Sequence, residues 1–222
     1  MLITLAQWLQ QLYPEPFGFL RVFQYLTFRA VMAAMTALLL GLALGPYVIR
    51  RLTELKIGQP IREYGMQSHL TKRGTPTMGG ILILGTIVAS TLIWAKWDNI
   101  MVWNILFCTI GLGALGFRDD YLKISKKNAK GVSARTKLVW QTGVAVITAL
   151  VFCYMVPSDA TLDAAAKANE TALVQFGGDS TFRALFLPFY KGPVIEDMSI
   201  IAVALFTLII VGSSNAVNLT DG

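Results

Sequence analysis

The sequence predicts an all-α polytopic membrane protein with about five transmembrane helices and a short interfacial helix at its N-terminus. Three observations predict it. Hydrophobic residues make up 55% of the 222 residues and charged residues 14%, with a mean hydropathy of +0.57, whereas soluble domains carry about 25% charged residues. The apolar residues fall in runs that match a bilayer core of about 30 Å, which a helix of roughly 20 residues crosses. The basic residues are concentrated in alternate connections between those runs. Residues 1–222 are read as one integral membrane domain.

The N-terminal stretch places Leu2, Ile3, Leu5, Ala6, Leu9 and Leu12 at helical spacing around Trp8, the pattern of a helix lying in the membrane interface. No Lys or Arg precedes Arg21, and no short apolar core leads to an Ala-x-Ala-like site, so a cleaved signal peptide is not expected. The spans are predicted near 22–49, with its apolar run at Ala30–Ile49, then near 78–96, 100–117, 138–156 and 198–217.

The connections set the orientation. The loop 50–76 carries Arg50, Arg51, Lys56, Arg62, Lys72 and Arg73, and the loop 118–137 carries Arg118, Lys123, Lys126, Lys127, Lys130, Arg135 and Lys137. These are thirteen of the nineteen basic residues of the chain. The connection at 96–99 has one Lys, and the loop 157–197 balances three basic residues against six acidic ones. By the positive-inside rule the two basic loops are cytoplasmic and 157–197 is periplasmic. Most of these charges need no role beyond topology and attraction to anionic lipid. Lys72 and Lys137 stand apart because each lies within a turn or two of a span and beside a polar motif.

Several features carry no chemistry of their own. Cys108 and Cys153 lie inside apolar runs without Cys or His at ligand spacing, and read as small buried hydrophobes. His69 is the single histidine, so neither a His-based metal site nor a Ser-His-Asp arrangement can be assembled from this chain. Gly111-Leu112-Gly113-Ala114-Leu115-Gly116 matches G-x-G-x-x-G, but it lies within a span, without the strand that a dinucleotide site needs. Small residues there let helices approach closely, and no nicotinamide or flavin is implied. The sequons at Asn169 and Asn218 are read as incidental, and no nucleic-acid partner is expected.

Three polar clusters converge on the predicted cytoplasmic face. In the first, Thr75 reads as a helix cap and Pro76 as a first helical position; Lys72-Arg73-Gly74 before them and Gly79-Gly80 after them offer charge and open backbone to an anion. In the second, Asp119 and Asp120 stand where the run Ile100–Phe117 ends. Acids at a helix C-terminus are opposed by the macrodipole and by each other, so a compensating cation is expected, either from nearby lysines or from Mg²⁺ bound between carboxylates and phosphate oxygens. In the third, Asn215, Asn218 and Asp221 are spaced i, i+3, i+6 and share one face if the last helix continues. Such a stripe at a membrane boundary needs a partner helix, water or ligand. The sequence then stops at Gly222 without a cap or tail, which reads as a truncation.

Together these residues resemble the phospho-N-acetylmuramoyl-pentapeptide transferases, a branch of the polyprenyl-phosphate N-acetylhexosamine-1-phosphate transferase superfamily. The resemblance is carried by Ser68–Gly80 with its Lys-Arg-Gly-Thr-Pro-Thr-Met-Gly-Gly run, by Gly116–Lys123 around the acidic pair, and by Gly212–Gly222 with Asn-Ala-Val-Asn-Leu-Thr-Asp-Gly. It runs in order from about Tyr25 onward.

The resemblance implies a Mg²⁺-dependent enzyme of the bacterial inner membrane. It would move phospho-N-acetylmuramoyl-pentapeptide from its UDP carrier to undecaprenyl phosphate, giving lipid I and UMP at the first membrane step of peptidoglycan synthesis. By position, Asp119, Asp120 and Asp221 match catalytic and metal-site acids, with Asp119 the candidate to deprotonate or orient the lipid phosphate. Lys72, Thr77, Lys137, Asn215 and Asn218 match substrate-binding positions. Family members have ten spans and work as homodimers among membrane lipids, so this chain is expected to be an N-terminal portion that is inactive alone, its principal Mg²⁺ ligand lying beyond residue 222. Arg118 replaces an expected apolar residue. Direct attack and a covalent intermediate both remain open. The rival readings are a non-catalytic membrane scaffold or lipid-phosphate carrier, and a sister transferase that uses UDP-N-acetylglucosamine.

Overall fold

The computed structural model describes residues 2–13, 18–54, 78–125, 131–155, 183–190 and 192–220. They form α1 (Leu2–Leu12), a 3₁₀ segment (Gly18–Gln24), α2 (Leu26–Glu54), α3 (Gly80–Trp94), α4 (Ile100–Ser125), α5 (Ala134–Leu150) and α6 (Ile200–Thr220). Five residues of π-helix, Val151–Met155, extend α5. Among the described residues four helical stretches are long and apolar enough to cross a membrane: Leu26–Glu54, Ile100–Ser125, Ala134–Met155 and Ile200–Val217. The chain is an all-α multi-pass membrane protein.

Its surface explains itself in those terms. Val31, Leu38, Leu39 and Leu42 on α2 are each more than half exposed. Such a face is costly in water and matched to lipid tails, where backbone groups must be satisfied within each helix.

The chain falls into two compact units, Met1–Lys137 and Leu138–Gly222. In the first, α2 packs against α3, and α3 against α4. Trp94 ties the first of these contacts: its ring stacks on Phe23 at 5.7 Å and meets Phe28 edge-on at 6.1 Å, while its Nε1 donates to Thr36 Oγ1 at 3.0 Å.

The predicted span near 78–96 is shorter than expected. Met78 sits at φ 73°, a left-handed conformation that cannot continue a helix, and Ala95 is extended at ψ 159°, so α3 is confined to 15 residues between them. At 1.5 Å per residue that is about 22 Å, less than a bilayer core. Gly79 is the N-cap of this helix; Thr75 and Pro76, read as a cap and a first helical position, lie outside the described residues. Of the glycines in α4, Gly113 approaches α3, where an added Cβ would come within 2.6 Å of a Leu84 methyl, whereas one on Gly116 would meet nothing within 4 Å.

In the second unit Ala149, Cys153, Met198, Ala202 and Val203 form a buried cluster, with Phe152, Leu185 and Phe206 packed on it. Phe152 and Phe206 meet edge-on at 5.1 Å. Leading into α6, residues 183–190 and 192–198 fold back on themselves through one antiparallel pair, Leu185 with Ile195. Their turn, closed by Tyr190 N donating to Leu187 O at 3.2 Å, has Pro188 followed by Phe189 at φ 69°. That is the pattern of a type II turn, whose third position favours glycine; a phenylalanine there costs about 1–2 kcal/mol.

Candidate active site at the end of α4

The acidic pair is not at a helix terminus. The sequence places the end of the span at Phe117 and a loop over 118–137, but α4 runs on to Ser125 and α5 already begins at Ala134. The macrodipole acts only over the last turn, so Asp119 and Asp120 escape most of the penalty expected of them. Lys123, four residues after Asp119 and three after Asp120, adds a same-face partner that favours helix.

Asp119 is buried, with 6% of its surface exposed, and both of its oxygens are engaged. Lys123 Nζ lies 2.7 Å from Oδ2 and Lys137 Nζ lies 3.0 Å from Oδ1. The backbone N–H of Val132 also donates to Oδ1, at 2.7 Å. A buried carboxylate is stable only when paired and hydrogen-bonded, and here two cations and one amide meet that need. The expected compensating cation is thus present as lysine.

The sequence builds this clasp from local pieces. Lys123 comes from the same helix. Val132 is delivered by Gly131, whose φ of 57° lies in the left-handed region and whose missing Cβ leaves room for the Asp119 carboxylate; an added Cβ would also lie 3.0 Å from Lys123 Cε. Lys137 comes from the first turn of α5, which Ser133 caps: Thr136 N donates to Ser133 Oγ at 3.3 Å, and the two hydroxyls are 2.8 Å apart, an N-terminal capping arrangement.

Asp120 differs from its neighbour. Its side chain is 32% exposed and its contact with Lys123 is 3.6 Å, so it retains open lone pairs. Phe117 and Tyr121 stack at 6.2 Å one turn apart and are both exposed beside it. Arg118 is exposed as well. Among the described residues no group of three or more metal-ligating side chains forms. Mg²⁺ needs only one or two protein carboxylates, because water and phosphate oxygens complete its octahedron. Asp120 fits that requirement, whereas Asp119 would have to release a lysine to meet it.

In the second unit Asn215 donates to Gln141 Oε1 at 3.0 Å and to Val211 O at 2.8 Å, and Gln141 donates to Ser214 Oγ at 3.1 Å. The partner that the polar stripe on α6 demands is therefore, for Asn215, a neighbouring helix. Helix α6 continues through Asn218 to Thr220. Lys72, Thr77 and Asp221 lie outside the described residues, as does the side chain of Asn218.

A family model for glycosyl transferase family 4 matches residues 102–222, more than half of the chain. The chain belongs to that family. Residues 72–84 match a phospho-N-acetylmuramoyl-pentapeptide-transferase signature 1, in agreement with the resemblance carried by Lys72–Gly80. The family match takes in the whole Asp119 clasp as well as Gln141 and Asn215, and the signature covers Lys72, Thr77 and the first turn of α3.

Lys123 enters the sequence reading only as one of the nearby lysines expected beside the acidic pair, and Gly131, Val132 and Gln141 carry no expectation there. Lys123 was detectable from its i, i+4 spacing to Asp119, and Gln141 as a polar residue within an apolar helix. Gly131 and Val132 had no signal, because their role lies in a backbone angle and a backbone amide.

Proposed function

We propose that this chain belongs to an enzyme that transfers phospho-N-acetylmuramoyl-pentapeptide from its UDP carrier to undecaprenyl phosphate, releasing UMP and forming lipid I. The observation that carries the reading is the pair of lysines gathered on buried Asp119 beside the more open Asp120. It is supported by the signature at 72–84. Both substrates are anions, so lowering their mutual repulsion is the main task of such a site.

In this reading a phosphate oxygen of the lipid attacks the β-phosphorus of the UDP-sugar. The bond from the β-phosphorus to the bridging oxygen breaks, and its electrons leave with UMP. Lys123 and Lys137 are held by Asp119 with donors left over, since each ammonium has three. They orient and neutralise phosphate oxygens in the approach. A carboxylate that already accepts on both oxygens is poorly placed to take a proton, so Asp119 acts as a positioning group for the lysines. Asp120 would hold Mg²⁺, together with Asp221, and the ion would supply further neutralisation of the pyrophosphate. Lys72, Thr77, Asn215 and Asn218 contribute to the sugar-nucleotide side. The basic residues of the two loops support a site on the cytoplasmic side of a bacterial inner membrane, and the same reading makes the working protein a homodimer.

The test is donor choice by the complete gene product in detergent with undecaprenyl phosphate and Mg²⁺. UMP release from UDP-N-acetylmuramoyl-pentapeptide but not from UDP-N-acetylglucosamine is expected. Preference for the smaller donor would move the chain to a sister reaction, and release from neither would favour the scaffold.

A further inference from the structure

We infer that the turn at Phe186, Leu187, Phe189 and Tyr190 is a membrane-interface anchor, inserted at the boundary between lipid headgroups and acyl chains beside the start of α6. The base of this turn is fixed. Leu185 packs on the buried cluster between the end of α5 and the start of α6, and Met198 N donates to Arg183 O at 2.9 Å. Arg183 pairs with Asp197 at 3.2 Å and lies 5.0 Å over the ring of Tyr154. The turn is therefore held against the ends of two membrane-crossing helices.

The tip cannot travel far from that base. Phe189 is four residues from Leu185, at most about 13 Å along an extended chain, and the headgroup layer on each side of the bilayer is roughly 5–8 Å thick.

What the tip presents is apolar. Phe186, Leu187 and Tyr190 are each at least half exposed and Phe189 is wholly exposed, with no charged residue from Phe186 to Tyr190. The apolar surface continues into the first turn of α6, where Ile200 and Ile201 are 64% and 65% exposed. Phe189 moreover occupies a left-handed position at φ 69°, where glycine would relieve strain. Strain retained at an exposed position points to a use for the side chain, and among the described residues none covers it. The occupant that fits is lipid. Tyrosine partitions into the interface, where its ring and its hydroxyl find their preferred surroundings together, and the phenylalanine and leucine side chains gain by entering the acyl boundary. A stable protein partner needs about 20–30 residues a side, far more than this tip supplies.

The experiment labels the complete protein in nanodiscs with an environment-sensitive fluorophore at Phe189→Cys, and separately at Tyr190→Cys so that the result does not depend on one variant folding. Glu54→Cys, on the exposed last turn of α2, serves as the control. The inference predicts a blue-shifted emission at both tip positions, strong quenching by a nitroxide near the headgroup end of the acyl chain, and severalfold lower iodide accessibility than the control. Iodide accessibility equal to the control overturns it. So does protection from iodide that is insensitive to lipid nitroxides and accompanied by energy transfer between labelled copies, which would assign the tip to a second copy of the chain.

Discussion

Lys137→Met, combined with Asp119→Asn in a double-mutant cycle, tests whether the clasp holds the end of α4 to the start of α5. Lys137 Nζ lies 3.0 Å from Asp119 Oδ1, and the side chains are 25% and 9% exposed. At an effective dielectric of about 20 the gross attraction is of order 5 kcal/mol. Desolvation of the carboxylate and the ordering of a lysine, up to about 2 kcal/mol of rotamer entropy, oppose it. The partial exposure of Lys137 screens it further. A net coupling of about 1–2 kcal/mol remains. Methionine keeps the aliphatic stem, and Asp119 retains Lys123 and the Val132 amide, so the single variant does not leave an orphaned charge. Asp119→Asn is expected to cost more, about 2–4 kcal/mol, because it leaves two ammoniums facing each other without their acid. The assay is unfolding of the purified protein in detergent by tryptophan fluorescence, with all four members of the cycle measured at one salt concentration. Additivity within about 0.5 kcal/mol would refute the reasoning, since it would mean that the contact carries no energy.

Three further outcomes follow from the same geometry. Gly131→Ala should cost about 1–2 kcal/mol from its left-handed backbone alone and more from the Asp119 contact, and phosphotransfer should fall with it; a neutral variant by thermal unfolding and UMP release would contradict the clasp. Gln141→Leu should cost about 1–3 kcal/mol by removing the acceptor that Asn215 has on α5 and leaving it Val211 O alone, and should raise KM for the UDP-sugar, whereas Gln141→Glu, which keeps the acceptor, should recover most of that KM; equal KM in both variants counts against a positioning role for Gln141. Gly113→Ala should lower stability slightly, by about 0.5–1.5 kcal/mol, as Leu84 leaves its rotamer, while Gly116→Ala should be neutral or better in thermal unfolding because nothing approaches it.

The fold was legible because length and hydropathy are summed quantities. Leu26–Glu54 and Ile200–Val217 declare themselves through continuous apolar runs, whatever their neighbours are. Boundaries were less legible because single residues decide them. Met78 at φ 73° shortens α3, and nothing in its side chain announces that angle. Asp119 and Asp120 suggested a helix end because charge is rare inside a span, yet Lys123 at helical spacing let α4 continue to Ser125. The candidate site was legible in its acids and in Lys137, whose residue types bear the chemistry. Its supporting parts were not. Gly131 acts through absence of a side chain, Val132 through its amide, and Gln141 through a partner 74 positions away.

The most direct measurement follows the phosphorus itself. The complete gene product is supplied with UDP-N-acetylmuramoyl-pentapeptide labelled at the β-phosphate and with undecaprenyl phosphate, and label in the lipid phase is counted against UMP in the water phase. The account predicts that label enters lipid one for one with UMP, and that Asp119→Asn loses about 10²-fold or more in rate as the two lysines lose their common acid. Label that stays in water, or an Asp119→Asn variant that transfers at the unaltered rate, would contradict it.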